Sequence, residues 1–119
     1  MTLALLSVSM DCADAGKLAA FWAAALGRPA DPGATPESAT IPASGPDAPF
    51  PRLSFHQVPE PKTVKNRLHL DLITSQTEAE TSRLLSLGAT QLRVFEQDGR
   101  HRWTTFADPE GNEFDLVTA

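Results

Sequence analysis

Apolar and polar residues alternate with a period of two over Leu3–Met10. Leu6, Val8 and Met10 fall on one face of that predicted strand, and Leu5, Ser7 and Ser9 on the other. The period then lengthens. Leu18, Phe21, Trp22, Ala25 and Leu26 recur at helical spacing behind Asp14, whose side chain suits an N-cap. Gly27 offers the left-handed stop and Pro29 bars continuation, so the first unit is a strand and a helix ended by Leu26-Gly27.

The pattern breaks between Arg28 and Pro51, where seven of the ten prolines fall. Proline removes a backbone donor, so this stretch is expected to be a mobile loop with at most a short edge strand at Ala39–Pro42. Alternation returns at Arg52–Val58, with Leu53, Phe55 and Gln57 on one face and Ser54, His56 and Val58 on the other. Pro59–Lys62 closes it as a linker.

The opening pattern then repeats. Leu68, Leu70 and Leu72 alternate with His69, Asp71 and Ile73 as a half-buried strand. Ser75-x-x-Glu78 and Thr77-x-x-Glu80 both match a capping box, and Leu84, Leu85 and Leu87 form the apolar side of the helix that follows. Leu87-Gly88 ends it, 61 residues after Leu26-Gly27, which is the spacing of an internal repeat. Thr90–Phe95 reads as a strand and Glu96–Arg100 as a turn, with Arg100 and His101 as turn residues. Arg102–Ala107 and Glu113–Val117 read as a hairpin around Asp108-Pro109-Glu110-Gly111-Asn112. In its second strand Glu113, Asp115 and Val117 point one way, and Phe114 and Leu116 the other. One side therefore meets a core and the other a polar cavity.

The 119 residues suit a single domain, 41% hydrophobic and 21% charged, that buries roughly two-thirds of its unfolded surface. A net charge of −5 without a basic stripe argues against nucleic acid as a partner. No apolar run approaches the ~18 residues of a membrane span, and Met1–Met10 lacks a basic leader. The lone Cys12 excludes an intrachain disulfide and fits a reducing cytoplasm.

Strand, helix and three strands, performed twice, resembles the vicinal oxygen chelate superfamily of glyoxalases, bleomycin-resistance proteins and extradiol dioxygenases. The residues that carry the resemblance to its small glyoxalase-like members are Asp14-x6-Phe21-Trp22-x3-Leu26-Gly27, Val58-Pro59-Glu60-x-Lys62, Lys65-Asn66-Arg67-x-His69-x-Asp71, Leu87-Gly88-Ala89 and Asp108–Phe114. The resemblance implies an α+β fold: two βαβββ modules, residues 1–60 and 66–119 of one domain, forming a cupped mixed sheet with the helices outside. It also implies a small-molecule ligand in a cavity inside the cup, and a homodimer that covers the sheet edges.

Metal-using members draw ligands from the first and last strands of each module. By that position His69 and Glu113 are the expected metal ligands, and Glu113 doubles as the candidate catalytic base. The first module departs from the pattern: Ser7 answers His69 and is a poor ligand, and a third ligand has to come from Asp71, Gln57 or His56. An incomplete site favours a ligand-binding protein with no fixed cofactor. The alternative is a lyase, isomerase or dioxygenase using Zn, Ni, Mn or Fe. Asp71 is placed to orient His69, and Trp103 to line the cavity and stack on a flat ligand, with Gln57 as a further binding residue. Asp115, Lys65 and Arg67 read as solvent-facing, and Trp22 as core.

Overall fold

A computed structural model describes residues 2–44, 50–97, 99 and 101–119. It divides into two compact units, Met1–Pro61 and Lys62–Ala119. The first holds β1 (Ser7–Cys12), α1 (Ala15–Leu26), β2 (Ser38–Ile41) and β3 (Arg52–Gln57). The second holds β4 (Leu70–Thr74), α2 (Thr77–Leu87), β5 (Thr90–Gln97), β6 (His101–Ala107) and β7 (Glu113–Thr118). Two mixed sheets with one helix each are the α+β arrangement of two βαβββ modules. The second unit has that order complete, and the first supplies βαββ among the described residues.

In the first unit β1 lies parallel to β3, and β2 pairs antiparallel to its other edge. Asp14 caps α1 by accepting from the Lys17 amide at 3.0 Å. Gly27 closes the helix at φ 65°, a conformation glycine adopts without Cβ strain. Leu18, Phe21 and Trp22 bury the inner face of the helix, with Ala15 and Ala19 allowing close approach to the sheet. Leu53, Phe55 and Ile41 meet it from below. Each of these large side chains contributes roughly 2 kcal/mol by leaving water.

Two expectations need correction here. β1 starts four residues late, at Ser7, and runs on to Cys12. Its extent follows its partner: Ser7 opposes Arg52 and Cys12 opposes Gln57, while Leu3, Leu5 and Leu6 stay exposed. The proline-rich stretch is also more ordered than a mobile loop. The Asp31 amide donates to Thr40 O at 2.8 Å, that of Thr35 to Ser38 O at 2.9 Å, and that of Ala15 to Pro36 O at 2.8 Å. Arg28 donates to Pro42 O and lies over the Phe50 ring. Residues 45–49 of the expected loop lie outside the described residues.

In the second unit the strand order is β4-β7-β6-β5, with β4 parallel to β7 and the other pairs antiparallel. The hairpin forms where expected. Phe106 and Phe114 face each other with ring centroids 5.5 Å apart, and with Leu116 and Leu84 of α2 they make this unit's core. Asp108, 3% exposed, accepts from the amides of Glu110 at 2.9 Å and Asn112 at 3.0 Å. Gly88 ends α2 at φ 115°.

Neither capping box forms. Gln76 is the N-cap and makes no side-chain cap bond, while Thr77 is already helical and buried, its hydroxyl 2.8 Å from that of Thr118. The entry turn is made one residue earlier, where Thr74 Oγ1 accepts from the Gln76 amide at 3.0 Å. Packing of Thr77 against β7 decided the start of α2 against the motif. β4 begins at Leu70, so Leu68 lies outside it and is exposed. His101 opens β6 and is not a turn residue, and Arg100 lies outside the described residues.

Candidate functional site

Strand register brings the candidate residues together on the sheet face of the second unit that lies opposite its core. Asp71 of β4 is level with Asp115 of β7, Asp115 with Thr105 of β6, and Thr105 with Arg93 of β5. These four make one polar row across all four strands. The adjacent row, Ile73, Val117, Trp103 and Phe95, is apolar. Glu113 opposes Ala107 on the other side of the polar row.

A bulge in β5 between Gln91 and Arg93 is what puts Arg93 and Phe95 on this face. The extra residue, Leu92, shifts the alternation by one, so every later side chain changes sides.

At the β4–β7 edge His69 Nδ1 lies 2.8 Å from Asp71 Oδ1 and 3.8 Å from Asp115 Oδ2. Thr105 Oγ1 donates to Asp115 Oδ1 at 2.6 Å, which leaves Oδ2 turned toward His69. One ligand atom each from His69, Asp71 and Asp115 lies within 4.8 Å of the others. Two carboxylates level on neighbouring strands repel unless a cation stands between them. Imidazole and two carboxylates form a nitrogen-and-oxygen donor set that suits a first-row divalent ion, and three protein donors leave room for water or substrate. The residues present fit such an ion.

Glu113 stands apart from that group. Its carboxylate accepts from the Asn66 amide at 3.4 Å and faces Lys62 at 3.5 Å, Lys65 at 3.8 Å and Arg93 at 3.9 Å. Burial pushes its carboxyl up, but the Asn66 amide and the charges of Lys65 and Lys62 outweigh burial and hold it below its ordinary value. A carboxylate held ionised by amide and cations is a weak base near neutral pH. Asn66 Oδ1 accepts in turn from the Glu113 amide at 2.8 Å, which pins the segment before β4 to β7.

A cavity of about 170 Å³ opens on this face. His69, Asp115 and Thr105 line one part of it, Trp103, Phe95 and Arg93 another, with Glu113 and Lys65 beside them. Trp103 and Phe95 stack at 5.1 Å with their planes 17° apart.

Of the expected site residues, His69, Glu113 and Trp103 line this cavity, and Asp71 touches it through His69. The ligand atoms that converge are those of His69, Asp71 and Asp115, a group that shares His69 with the expected pair and does not include Glu113. Asp115, expected in solvent, is 18% exposed and bonded to Thr105. Lys65 is solvent-exposed as expected, at 67%, and stands at the edge of the cavity. Gln57 sits at the end of β3 in the first unit, where its Nε2 donates to Ala13 O at 3.0 Å. Arg93, Phe95, Thr105 and Asn66 had no assigned role in the sequence reading. The hidden bulge explains the first two, and the spacing from Asn66 to His69 was the available signal for the last.

The model of the family described as "Glyoxalase-like domain" matches residues 7–117. A search of curated proteins finds no match. Among solved structures, a glyoxalase/bleomycin resistance protein/dioxygenase family enzyme from Burkholderia phytofirmans PsJN superposes with a TM-score of 0.75 at 18% identity, over 98% of each chain. The fosfomycin resistance protein FosX from Listeria monocytogenes gives 0.77 at 14% identity, over 100% of this chain and 93% of that one. A variant of the same protein, complexed with Mn(II) and 1S,2S-dihydroxypropylphosphonic acid, gives 0.71 at 13%, over 100% and 91%. At these identities the likeness is one of fold.

Proposed function

The chain belongs to the glyoxalase-like domain family, and from that premise we propose that it binds a small molecule in the cavity of its second unit, beside a divalent cation held by His69, Asp71 and Asp115. The observation that carries this is the convergence of three ligand atoms within 4.8 Å, with two of the residues, His69 and Asp115, lining a cavity that also has an aromatic side. Thr105 fixes the rotamer of Asp115, as an outer-shell partner orients a ligand. Asp71 orients His69 in the same way when no ion is present. Trp103 and Phe95 are the aromatic wall against which the ligand rests. Glu113 holds the segment carrying His69 through Asn66, Lys62 and Lys65, and takes no part as ligand or base. The family match runs across both units, which supports reading the chain as one domain.

A second reading is divalent-metal-dependent lyase, isomerase or dioxygenase chemistry. It is favoured by the same donor set, because three protein ligands leave positions open. A cation there supplies Lewis-acid polarisation of a ligand oxygen. The complex of the Listeria protein variant with Mn(II) and 1S,2S-dihydroxypropylphosphonic acid supports the cation in both readings.

Loading the purified protein with Mn²⁺, Zn²⁺, Ni²⁺ or Fe²⁺, desalting it and counting retained metal tests the proposal. The expected result is about one ion per chain, lost in Asp115→Asn and His69→Ala but kept in Glu113→Gln. Retention by Asp115→Asn with loss in Glu113→Gln assigns the ion to the other carboxylate and refutes this arrangement. A homodimer is part of the proposal, supported by the exposed Leu3, Leu5, Leu6 and Ile73, and light scattering reads it directly. No described helix is long and apolar enough to cross a membrane. The reducing cytoplasm suited to the lone Cys12 stays part of the proposal.

A further inference from the structure

We infer that the ligand is a planar molecule, aromatic or fully conjugated, with an anionic group that binds Arg93 and Lys65 while its ring lies against Trp103 and Phe95. The inference deepens the reading of the cavity as a ligand site and rests on it, but it does not depend on a bound cation.

Four observations converge. The first is the floor. Phe95 and Trp103 stack across β5 and β6, and the apolar row continues through Val117 to Ile73, which is 72% exposed. Two rings stacked on each other turn their edges toward a cavity. Positive ring edges take the negative face of a flat conjugated partner in T-shaped geometry, which gains more than the area covered.

The second is charge. Lys62, Lys65 and Arg93 share the single carboxylate of Glu113, and each stands 3.5–3.9 Å from it. None of those separations is that of a tight charge-assisted hydrogen bond, which runs about 2.7–2.9 Å. Among the described residues no other acid pairs with these three, so positive charge is in excess at this end of the cavity. A bound anion would be compensated there, and a bound cation repelled.

The third is the position of Arg93. Its guanidinium carbon lies 5.6 Å from the centroid of the Phe95 ring, so the fork is next to the floor. A carboxylate carried by a ring on that floor can meet the guanidinium edge-on through two parallel N–H donors, a geometry lysine cannot offer. Thr105, level with Arg93, spends its hydroxyl proton on Asp115 and does not compete for the anion. The acidic pair Asp71 and Asp115 on the far strands fixes the orientation, since an anionic group is excluded from that end unless a cation is bound.

The fourth is size. A dry cavity of about 150 Å³ accommodates benzene, so about 170 Å³ takes one ring with a small substituent, and larger ring systems extend toward solvent.

The chain has two tryptophans, Trp22 in the first unit's core and Trp103 on the cavity wall, so two indole N–H signals report on ligand and on background. The experiment titrates benzoate, benzamide and benzamidine, one ring with three charges, into the chelator-treated protein and follows both signals by NMR. Benzoate is expected to move the Trp103 signal without moving that of Trp22. It should bind about tenfold more tightly than benzamide, the factor that one hydrogen bond to a charged group supplies, and benzamidine should bind weakest. Arg93→Gln should bring benzoate to the level of benzamide and leave benzamide unchanged, whereas Phe95→Ala should weaken both. Cyclohexanecarboxylate should bind more weakly than benzoate, because its puckered ring has no negative face to offer those ring edges. Equal affinities, a preference for benzamidine, an unchanged preference in Arg93→Gln, or no Trp103 shift with any probe overturns the inference. The two proposals fail separately. A protein that retains no metal yet prefers benzoate removes only the cation, and one that retains metal but ignores ligand charge removes only this inference.

Discussion

Replacing Glu113 with glutamine removes one negative charge and almost nothing else. The Glu113 amide still donates to Asn66 Oδ1, and the amide oxygen of glutamine can still accept from the Asn66 N–H, so the backbone clamp survives. What disappears is attraction to three cations. Lys62 is the least exposed partner at 27%, and Lys65 and Arg93 are open to solvent at 67% and 53%. Partly exposed pairs are worth about 0.2–1 kcal/mol each, so the loss is about 1–2 kcal/mol, with Lys62 supplying most of it. For a chain of this size that is a fall in Tm of about 3–8 °C.

The pH dependence follows from the direction of the shift. The folded-state carboxyl lies below its ordinary value of 4.5, so its contribution is fully present above that value and is lost as pH falls through the lower folded one. Urea melts of both proteins at pH 7, 5.5, 4.5 and 3.5 should show a constant gap down to about 5.5 and a closing gap below 4.5. A gap that is absent at pH 7, or that persists unchanged at pH 3.5, refutes the view that ionised Glu113 is a structural counter-charge. Benzoate should bind Glu113→Gln more tightly than the parent, since the three cations then have no internal competitor. Weaker binding would place Glu113 in direct contact with the ligand.

The start of α2 is tested by a matched pair: Ser75→Ala should leave the melting curve within ~0.5 kcal/mol, whereas Thr74→Ala should cost about 1 kcal/mol, and the reverse order would restore the capping box. Asp108→Ala should cost about 3 kcal/mol in the same assay because two turn amides lose their acceptor, while Asp108→Asn, which keeps an oxygen in place, should cost about a third of that.

The two helices and the hairpin were legible because their signals are local. Asp14 and Gly27 bracket α1 by side-chain capping and left-handed φ, and the turn Asp108–Asn112 satisfies its amides with its own aspartate. Nothing distant has to agree for these to form. The start of β1 was misplaced because it is set by a partner 45 residues away in the chain, Arg52 opposite Ser7. The start of α2 was misplaced for a similar reason: Thr77 bonds Thr118 and is buried, so tertiary packing overrode two good local motifs.

The choice between Glu113 and Asp115 shows where local reading of the site runs out. Alternation puts both carboxylates on the polar face of β7, and it cannot rank them, because residues two apart on a strand are equivalent by period. What separates them is register with other strands. Asp115 is level with Asp71 and Thr105, so it receives a second carboxylate, a hydroxyl and, through Asp71, the imidazole of His69. Glu113 is level with Ala107, which offers no polar group, and its neighbours come from the segment at Lys62–Asn66. The same sheet face therefore carries an anionic centre and a cationic one, a single residue pair apart along β7. Their separation is kept by the Thr105 bond on one side and the Asn66 clamp on the other. A single bulge at Leu92 completes the division by turning Arg93 toward the cationic end and Phe95 toward the aromatic row. Had β5 run without it, Leu92 and Val94 would face the cavity in their place, and the site would lack its guanidinium and one of its two aromatic rings.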